Sequence, residues 1–190
     1  MWRVGTGAGE EMLEVVRRAR HTLSVVSPWI SPSVASLLVK KAEEGVVTKV
    51  AMLNDRFNRG AFLRLTRVER RLRPPFLLAG GGLAAAGALA AGLGVLAGGL
   101  LGVLAGLVLM ALGVKEERVP RVAALRLFPP GLHAKLVLAD GRLLALGSSN
   151  LTVSGSRNLE AVAVLEVTPE EAFRIERIFW HAPEDGVPPP

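Results

Sequence analysis

The sequence predicts an α/β protein in which a mixed sheet is flanked by helices and interrupted by a pair of apolar helices. Residues 22–53 carry a strand, a helix and a second strand in turn, TLSVVSP, SPSVASLLVKKAEEG and VVTKVAML, which is the order of a β-α-β unit. Four further strand patterns lie in the second half of the chain. The two halves are separated by 39 residues, 76–114, without a single charged side chain.

Spacing and end signals place the individual elements. Residues 9–20 have apolar positions at helical intervals, with acids first and bases last, as the helix dipole favours. Ser31 followed by Pro32 predicts a capped helix over 31–45, and the basic segment 59–73 also has helical spacing until Pro74 and Pro75 end it. The remaining predictions are strands at 122–128, 133–139, 142–148 and 159–167 and a closing helix at 168–180.

The apolar block is too long to cross a membrane once. As one helix it would extend about 58 Å, nearly twice a hydrocarbon core of about 30 Å, whereas two passes fit. Arginines before it and Lys115, Arg118 and Arg121 after it place both ends in the cytoplasm by the positive-inside rule, with a turn near 95–99. Gly or Ala every four residues favours close helix packing. A pair of buried helices in a soluble core is the alternative, but so small a domain could hardly cover them.

These elements predict four parts of the chain. Residues 1–75 form the first part of a catalytic domain, 76–114 a transmembrane hairpin inserted between its second and third strands, 115–182 the second part, and 183–190 a flexible tail. The formal net charge of +6 belongs wholly to the polar parts and favours anionic partners such as phosphates, nucleic acid or acidic lipid. The chain has no cysteine, which excludes disulfides and thiolate zinc sites, and we expect no cofactor.

One strand pattern carries residues that a core strand does not need. His133 and Lys135 stand two apart, so on a strand they share one face, and Asp140 and the run from Gly147 to Asn150 follow. Lys135 and Asn150 would stabilise charge on phosphoryl oxygens, and Ser148 would bind phosphate or orient an acid. A neutral His133 imidazole could attack phosphorus and form a phosphohistidine intermediate.

Written out, the pattern H-x-K-x4-D-x6-G-S-x-N resembles the HKD signature of the phospholipase D superfamily, with every defining position filled. The resemblance is to small, membrane-anchored, single-motif members, the phosphodiesterases of the Nuc and Zucchini type. It implies a phospholipase D-like sheet and metal-independent catalysis by His133 and Lys135. It also implies structural roles for Asp140 and Gly147, and makes Glu160 the acid that orients the histidine.

The number of motifs implies a partner. Family members with a complete site use two HKD motifs, one histidine as nucleophile and the other as general acid. His21 and His181 lack the following lysine and asparagine, so the second motif must come from another chain. The resemblance therefore implies a two-fold homodimer with a shared site.

The predicted function is that of a membrane-anchored phosphodiesterase, multi-pass with two helices and with its catalytic domain in the cytoplasm. It would hydrolyse phosphodiesters or transfer them to an alcohol, with phospholipid headgroups as the favoured substrate. A membrane-bound endonuclease that cuts DNA or RNA is the alternative. A catalytically inactive membrane scaffold is a second alternative, against which the intact motif argues.

Overall fold

The computed structural model describes residues 1–180, which divide into two compact units. The first comprises Met1–Arg67 together with the described residues from Pro120 onward, and the second is Val68–Val119. His181 and the predicted tail at 183–190 lie outside the described residues. The described residues form nine strands: β1 Trp2–Thr6, β2 Thr22–Val26, β3 Val47–Leu53, β4 Thr66–Leu72, β5 Val114–Pro120, β6 Ala124–Phe128, β7 Leu136–Ala139, β8 Leu143–Gly147 and β9 Leu159–Glu166. They also form six α-helices: α1 Glu10–Arg18, α2 Pro32–Glu43, α3 Arg59–Leu65, α4 Pro74–Gly92, α5 Leu96–Leu112 and α6 Pro169–Trp180.

The first unit is built on a mixed seven-stranded sheet in the order β1-β9-β8-β7-β2-β3-β6. Strands β2, β3 and β6 are parallel, and β7, β8, β9 and β1 add antiparallel pairs. The predicted β-α-β unit is confirmed as β2-α2-β3. Its helix begins as the sequence indicates, because the Ser31 hydroxyl accepts the N–H of Val34 at 3.4 Å and Pro32 occupies the first turn.

Helices cover both faces of this sheet. The main core packs α1 and α2 against one face and centres on fully buried side chains such as Val16, Leu23, Leu38 and Val50. On the other face α6 packs Ala172 against Leu138 and Leu144. The fold class is therefore a mixed α/β sheet flanked by helices, as predicted.

The basic segment 59–73 is not one helix, which corrects the sequence prediction. Helix α3 ends at Leu65, and β4 then pairs with β5 in a separate two-stranded sheet. Ion pairs join the two strands, Arg70 with Glu116 at 3.0 Å and Arg71 with Glu117 at 3.5 Å. Since β1 and β4 were both missed, the apolar block follows the fourth strand of the chain rather than the second.

The apolar block forms two packed helices, α4 and α5. Glycines allow their backbones to meet: a Cβ at Gly80 would lie 2.6 Å from the Gly106 carbonyl oxygen, and one at Gly87 2.7 Å from that of Gly99. The turn lies at 93–95, slightly earlier than predicted, and uses Gly94 at φ +90°. Among the described helices, α4 alone has the length and composition to cross a bilayer, with a mean hydropathy of 1.5; α5 is apolar but has 17 residues.

Candidate active site

The motif residues other than Asp140 gather at one end of the seven-stranded sheet. Strand β2 ends there at Val26, opposite the start of β7 at Leu136, and β8 ends next to the start of β9. The N–H of Gly147 donates to the Lys135 carbonyl oxygen at 3.2 Å, which ties the two halves of the motif together. Antiparallel pairing thus brings residues of the sequence runs 133–135, 147–150 and 159–161 to the same end of the sheet.

His133 and Lys135 precede strand β7 instead of lying on it, which corrects the predicted strand at 133–139. In the register of β2 and β7, the residue opposite Ala134 would be Pro28, which has no N–H to continue the ladder. His133 is exposed, and its imidazole forms no hydrogen bond to any residue in 1–180. The Lys135 ammonium donates to the His133 carbonyl oxygen at 2.9 Å, which holds the two residues together through the main chain.

Gly147 is required by the close approach of the neighbouring strand. A Cβ at this position would lie 2.1 Å from the Ala161 carbonyl oxygen, a distance that no side chain tolerates. The same approach lets the Ser148 N–H donate to that oxygen at 2.9 Å. Gly147 thereby sets the path of the chain into Ser148 and Asn150.

Ser148 joins Glu160 within the site. The Ser148 hydroxyl donates to the Glu160 carboxylate and accepts the N–H of Ala161 at 3.1 Å. The predicted contact of Glu160 with the His133 imidazole is not formed in this structure, where the carboxylate has Ser148 as its partner. The reason is the register, since Glu160 is the second residue of β9 and lies beside the end of β8.

Asn150 has an unusual amide. Its Oδ1 is buried and has no hydrogen-bond partner among the described residues. The main chain around it is fixed, because the Asn150 carbonyl oxygen accepts the N–H of Thr152 at 2.8 Å and the Leu151 N–H donates to the Ser27 hydroxyl at 3.2 Å. A buried amide oxygen without a partner is costly, and a ligand or a second chain can supply the missing donor.

Ser27 was missed by sequence reasoning. Its side chain is fully buried, accepts the Leu151 N–H and donates to the Trp29 carbonyl oxygen at 2.8 Å. The signal in the sequence was a serine at the end of a buried strand, directly before proline. Its contact with residue 151 depends on tertiary structure that local patterns do not contain.

Asp140 lies at the opposite end of the sheet, in a turn at φ +54°. Its carboxylate accepts the backbone N–H groups of Arg20 at 3.1 Å, His21 at 2.7 Å and Thr22 at 2.9 Å. Burial alone would raise the pKa of Asp140, but these backbone hydrogen bonds outweigh it and hold the pKa below its ordinary value. Asp140 therefore anchors the start of β2 and does not reach the other motif residues.

An apolar cavity of about 450 Å³ opens beside His133. It is lined by residues 128–134 and by Ile178 and Phe179 of α6, so His133 is its one titratable side chain among the described residues. No group of three His, Cys, Asp or Glu side chains in residues 1–180 is placed to hold a metal ion.

Comparison with models of protein families finds no match, and comparison with curated proteins finds none either. Solved structures do match. Nuc from Salmonella typhimurium, a phospholipase D family member, aligns at a TM-score of 0.55 and 15% identity over 95% of this chain and 92% of its own. NucT from Helicobacter pylori aligns at 0.52 and 11% identity over the same shares. At these identities the likeness establishes the fold, so the chain has the fold of a phospholipase D family member.

Proposed function

We propose that the protein is a phosphodiesterase of the phospholipase D type, with His133 as its nucleophile. The observation that carries this proposal is the meeting of Lys135, Gly147, Ser148 and Glu160 at one sheet end of a fold shared with a phospholipase D family member. The motif spacing that suggested the chemistry thus coincides with a site that the sheet register assembles.

The chemistry follows in two displacements. A nitrogen of the neutral His133 imidazole attacks phosphorus and forms an N–P bond, while the P–O bond to the leaving group breaks and a general acid protonates that oxygen. Water then attacks the phosphohistidine, gives up its proton to the same group and releases His133. If an alcohol takes the place of water, the product is a new phosphodiester.

Three side chains stabilise the charge that develops. The Lys135 ammonium, which already lies against the His133 main chain, supplies a full positive charge, and the Asn150 amide supplies a neutral donor. The Ser148 hydroxyl holds the Glu160 carboxylate in position at the catalytic end of the sheet. The Glu160 carboxylate would stabilise the imidazolium form of a histidine brought beside it.

A second copy of the chain supplies the general acid in this proposal. Of the three histidines, only His133 belongs to the motif, and one histidine cannot be both the covalent nucleophile and the acid for the same step. His133 is exposed, and within residues 1–180 neither its imidazole nor the Asn150 side-chain oxygen has a hydrogen-bond partner, which fits a site that a second chain completes. The active form is therefore a homodimer.

Helices α4 and α5 cross the membrane as a hairpin in this proposal, with the catalytic unit in the cytoplasm. The composition of α4 and the glycine packing of the pair support it, as do arginines such as Arg70 and Arg71 on the flanks. Attachment to a membrane would raise the local concentration of headgroups around the catalytic unit, which favours a phospholipid substrate. The apolar cavity beside His133 fits a diester with an apolar group.

A nucleic acid is the second candidate substrate, favoured by the net charge of +6.

The deciding experiment uses the full chain in lipid vesicles with a chelator present and offers labelled phospholipid and labelled single-stranded DNA or RNA separately. A His133→Asn chain is the matched control. Release of a labelled headgroup supports a phospholipid substrate, and cleavage of the DNA or RNA strand supports a nucleic-acid substrate. If neither is turned over, the catalytically inactive membrane scaffold is the remaining hypothesis.

A further inference from the structure

Helix α6 is attached to the sheet by charged groups as well as by apolar ones. Of its side chains Ala172 alone is buried, where it packs against the sheet. One turn later, on the same side of the helix, the Glu176 carboxylate accepts the Ser24 hydroxyl and the Lys49 ammonium, the latter at 2.6 Å. The Lys49 and Glu176 side chains are 28% and 25% exposed, so this ion pair lies largely beneath the helix.

Two cations on neighbouring strands hold the last turn of α6. In the register of β3 and β6, Lys49 and Arg126 lie on the same face of the sheet. Arg126 donates to the Phe179 carbonyl oxygen at 2.8 Å, and the Lys49 ammonium lies 6.0 Å from the centre of the Trp180 ring. The last carbonyl groups of a helix lack intrahelical partners, so cations at this end stabilise and orient it. We call Lys49, Arg126 and Glu176 the α6 clamp.

The helix turn that the α6 clamp holds is one wall of the apolar cavity beside the proposed nucleophile. Ile178 and Phe179 form this wall, and residues 128–134 form the rest of the lining. Arg126 contacts both sides, because its guanidinium lies 4.8 Å from the centre of the Phe128 ring and also donates to the Phe179 main chain. The α6 clamp therefore sets the distance between the two sides of the cavity.

The lining determines which chemical group the cavity can hold. Its side chains are apolar except for the His133 imidazole. A charged or strongly polar group would lose its hydration there without gaining another side-chain partner, whereas burial stabilises an apolar group. The volume of about 450 Å³ is in the range of small-molecule sites.

We propose that this cavity binds the apolar group esterified to the phosphate that His133 attacks. Ile178 and Phe179 select this group, and the α6 clamp positions them. The substrate class is then a lipid-type phosphodiester rather than a nucleic acid, whose sugars and bases carry polar groups that the lining cannot satisfy. The inference rests on the proposed function in one respect, namely that His133 attacks the phosphate.

A matched pair of substrates tests the cavity. The diesters p-nitrophenyl butyl phosphate and p-nitrophenyl methyl phosphate share a leaving group and differ only in the length of the apolar group. Wild-type full chain in lipid vesicles should favour the butyl diester in kcat/KM on the order of 10-fold, and Ile178→Ala should reduce this preference to less than about threefold. The control is Ile175→Ala, which should keep the wild-type preference, because Ile175 is on the same helix but packs with the cluster of Leu138 and Leu144.

Charge exchange tests the α6 clamp. Glu176→Lys places two ammonium groups together and should lower the butyl preference as Ile178→Ala does, through KM for the butyl diester more than through kcat. Lys49→Glu combined with Glu176→Lys restores an ion pair and should return the preference. If Glu176→Lys lowers the melting temperature and leaves the butyl preference intact, the α6 clamp is structural only and its positioning role is refuted.

Binding without turnover separates this inference from the proposed function. Calorimetry on the His133→Asn chain should show dibutyl phosphate bound on the order of 10-fold more tightly than dimethyl phosphate, and Ile178→Ala in that chain should remove the difference. If wild type hydrolyses neither diester while this binding preference holds, the proposed function fails and the cavity assignment stands. Turnover of the butyl and methyl diesters with equal efficiency, or faster cleavage of a dinucleotide, would refute the cavity assignment and leave the proposed function in place.

Discussion

The backbone N–H of Gly147 and the carbonyl oxygen of Lys135, 3.2 Å apart, join the two halves of the catalytic motif. This bond forms because β7 and β8 are antiparallel neighbours, so residues twelve apart in sequence stand opposite each other. The same region admits no side chain at position 147, where the β9 backbone lies against the glycine. The site is therefore a property of three strands in fixed register.

A methyl group at Gly147 should disturb that register. We expect Gly147→Ala to lower the free energy of unfolding by about 1–3 kcal/mol, because the new Cβ would meet the Ala161 carbonyl oxygen, and to reduce activity with it. Gly82→Ala is the control, since nothing lies within 4 Å of its added Cβ. Chemical denaturation followed by circular dichroism measures both. Equal stability of the two variants would contradict the close approach.

His133 should be essential for turnover and dispensable for folding. It is exposed and its imidazole makes no hydrogen bond within residues 1–180, so His133→Asn should change stability by no more than about 0.5 kcal/mol. Loss of a covalent nucleophile should reduce turnover at least about 10³-fold. Thermal unfolding and single-turnover assays on the same preparation separate the two effects. A variant that is folded and active would remove His133 from the mechanism.

Much of this site could be predicted from the sequence because its residues, from His133 to Glu160, lie close together in the chain. The hairpin of β7 and β8 determines the spacing between the two halves of the motif. The β2-α2-β3 unit was equally readable, since cap, periodicity and burial agree. Strands β4 and β5 were not, because RVERR and KEERV are charged segments with no apolar alternation, and their pairing joins residues more than 40 apart. The Ser148 to Glu160 contact likewise depends on the pairing of β8 with β9.

The Asp140 carboxylate should make stability depend on pH. An unfolded aspartate has a pKa of about 3.9, and the folded pKa is lower because three backbone N–H groups favour the charged form. The stabilisation is therefore complete above the unfolded pKa and disappears as the pH falls through the folded pKa. Asp140→Asn, which retains an oxygen acceptor, should be less stable than wild type at pH 7, and the gap should narrow below about pH 4. Urea titrations at both pH values measure this, and a stability difference that is the same at both would contradict the role of the Asp140 charge.

Chelation should leave turnover unchanged. The proposed reaction uses a histidine nucleophile and a histidine acid, with Lys135 supplying the positive charge at the phosphoryl oxygens. Wild-type activity measured before and after dialysis against EDTA should agree within error. Loss of activity that a divalent ion restores would refute this mechanism, whichever substrate is used.

Removal of the apolar helices should separate catalysis from membrane attachment. The N–H of Arg73 donates to the Gly113 carbonyl oxygen at 2.7 Å, so the two ends of the hairpin lie side by side and a short Gly/Ser linker in place of 76–114 can close the gap. The seven-stranded sheet belongs to the other unit and should fold without the helices. We expect the shortened chain in the soluble fraction, with activity on phospholipid vesicles reduced far more than activity on a short-chain soluble phosphodiester, because the hairpin acts through local concentration.

Single cysteines report the topology of the hairpin in the full chain. Placed at Arg73, at Leu93 in the turn and at Lys115, and treated with an impermeant thiol reagent, the first and third should label from one side of the membrane and the second from the other. Labelling of the Arg73 and Lys115 positions from opposite sides would show a single crossing and refute the hairpin.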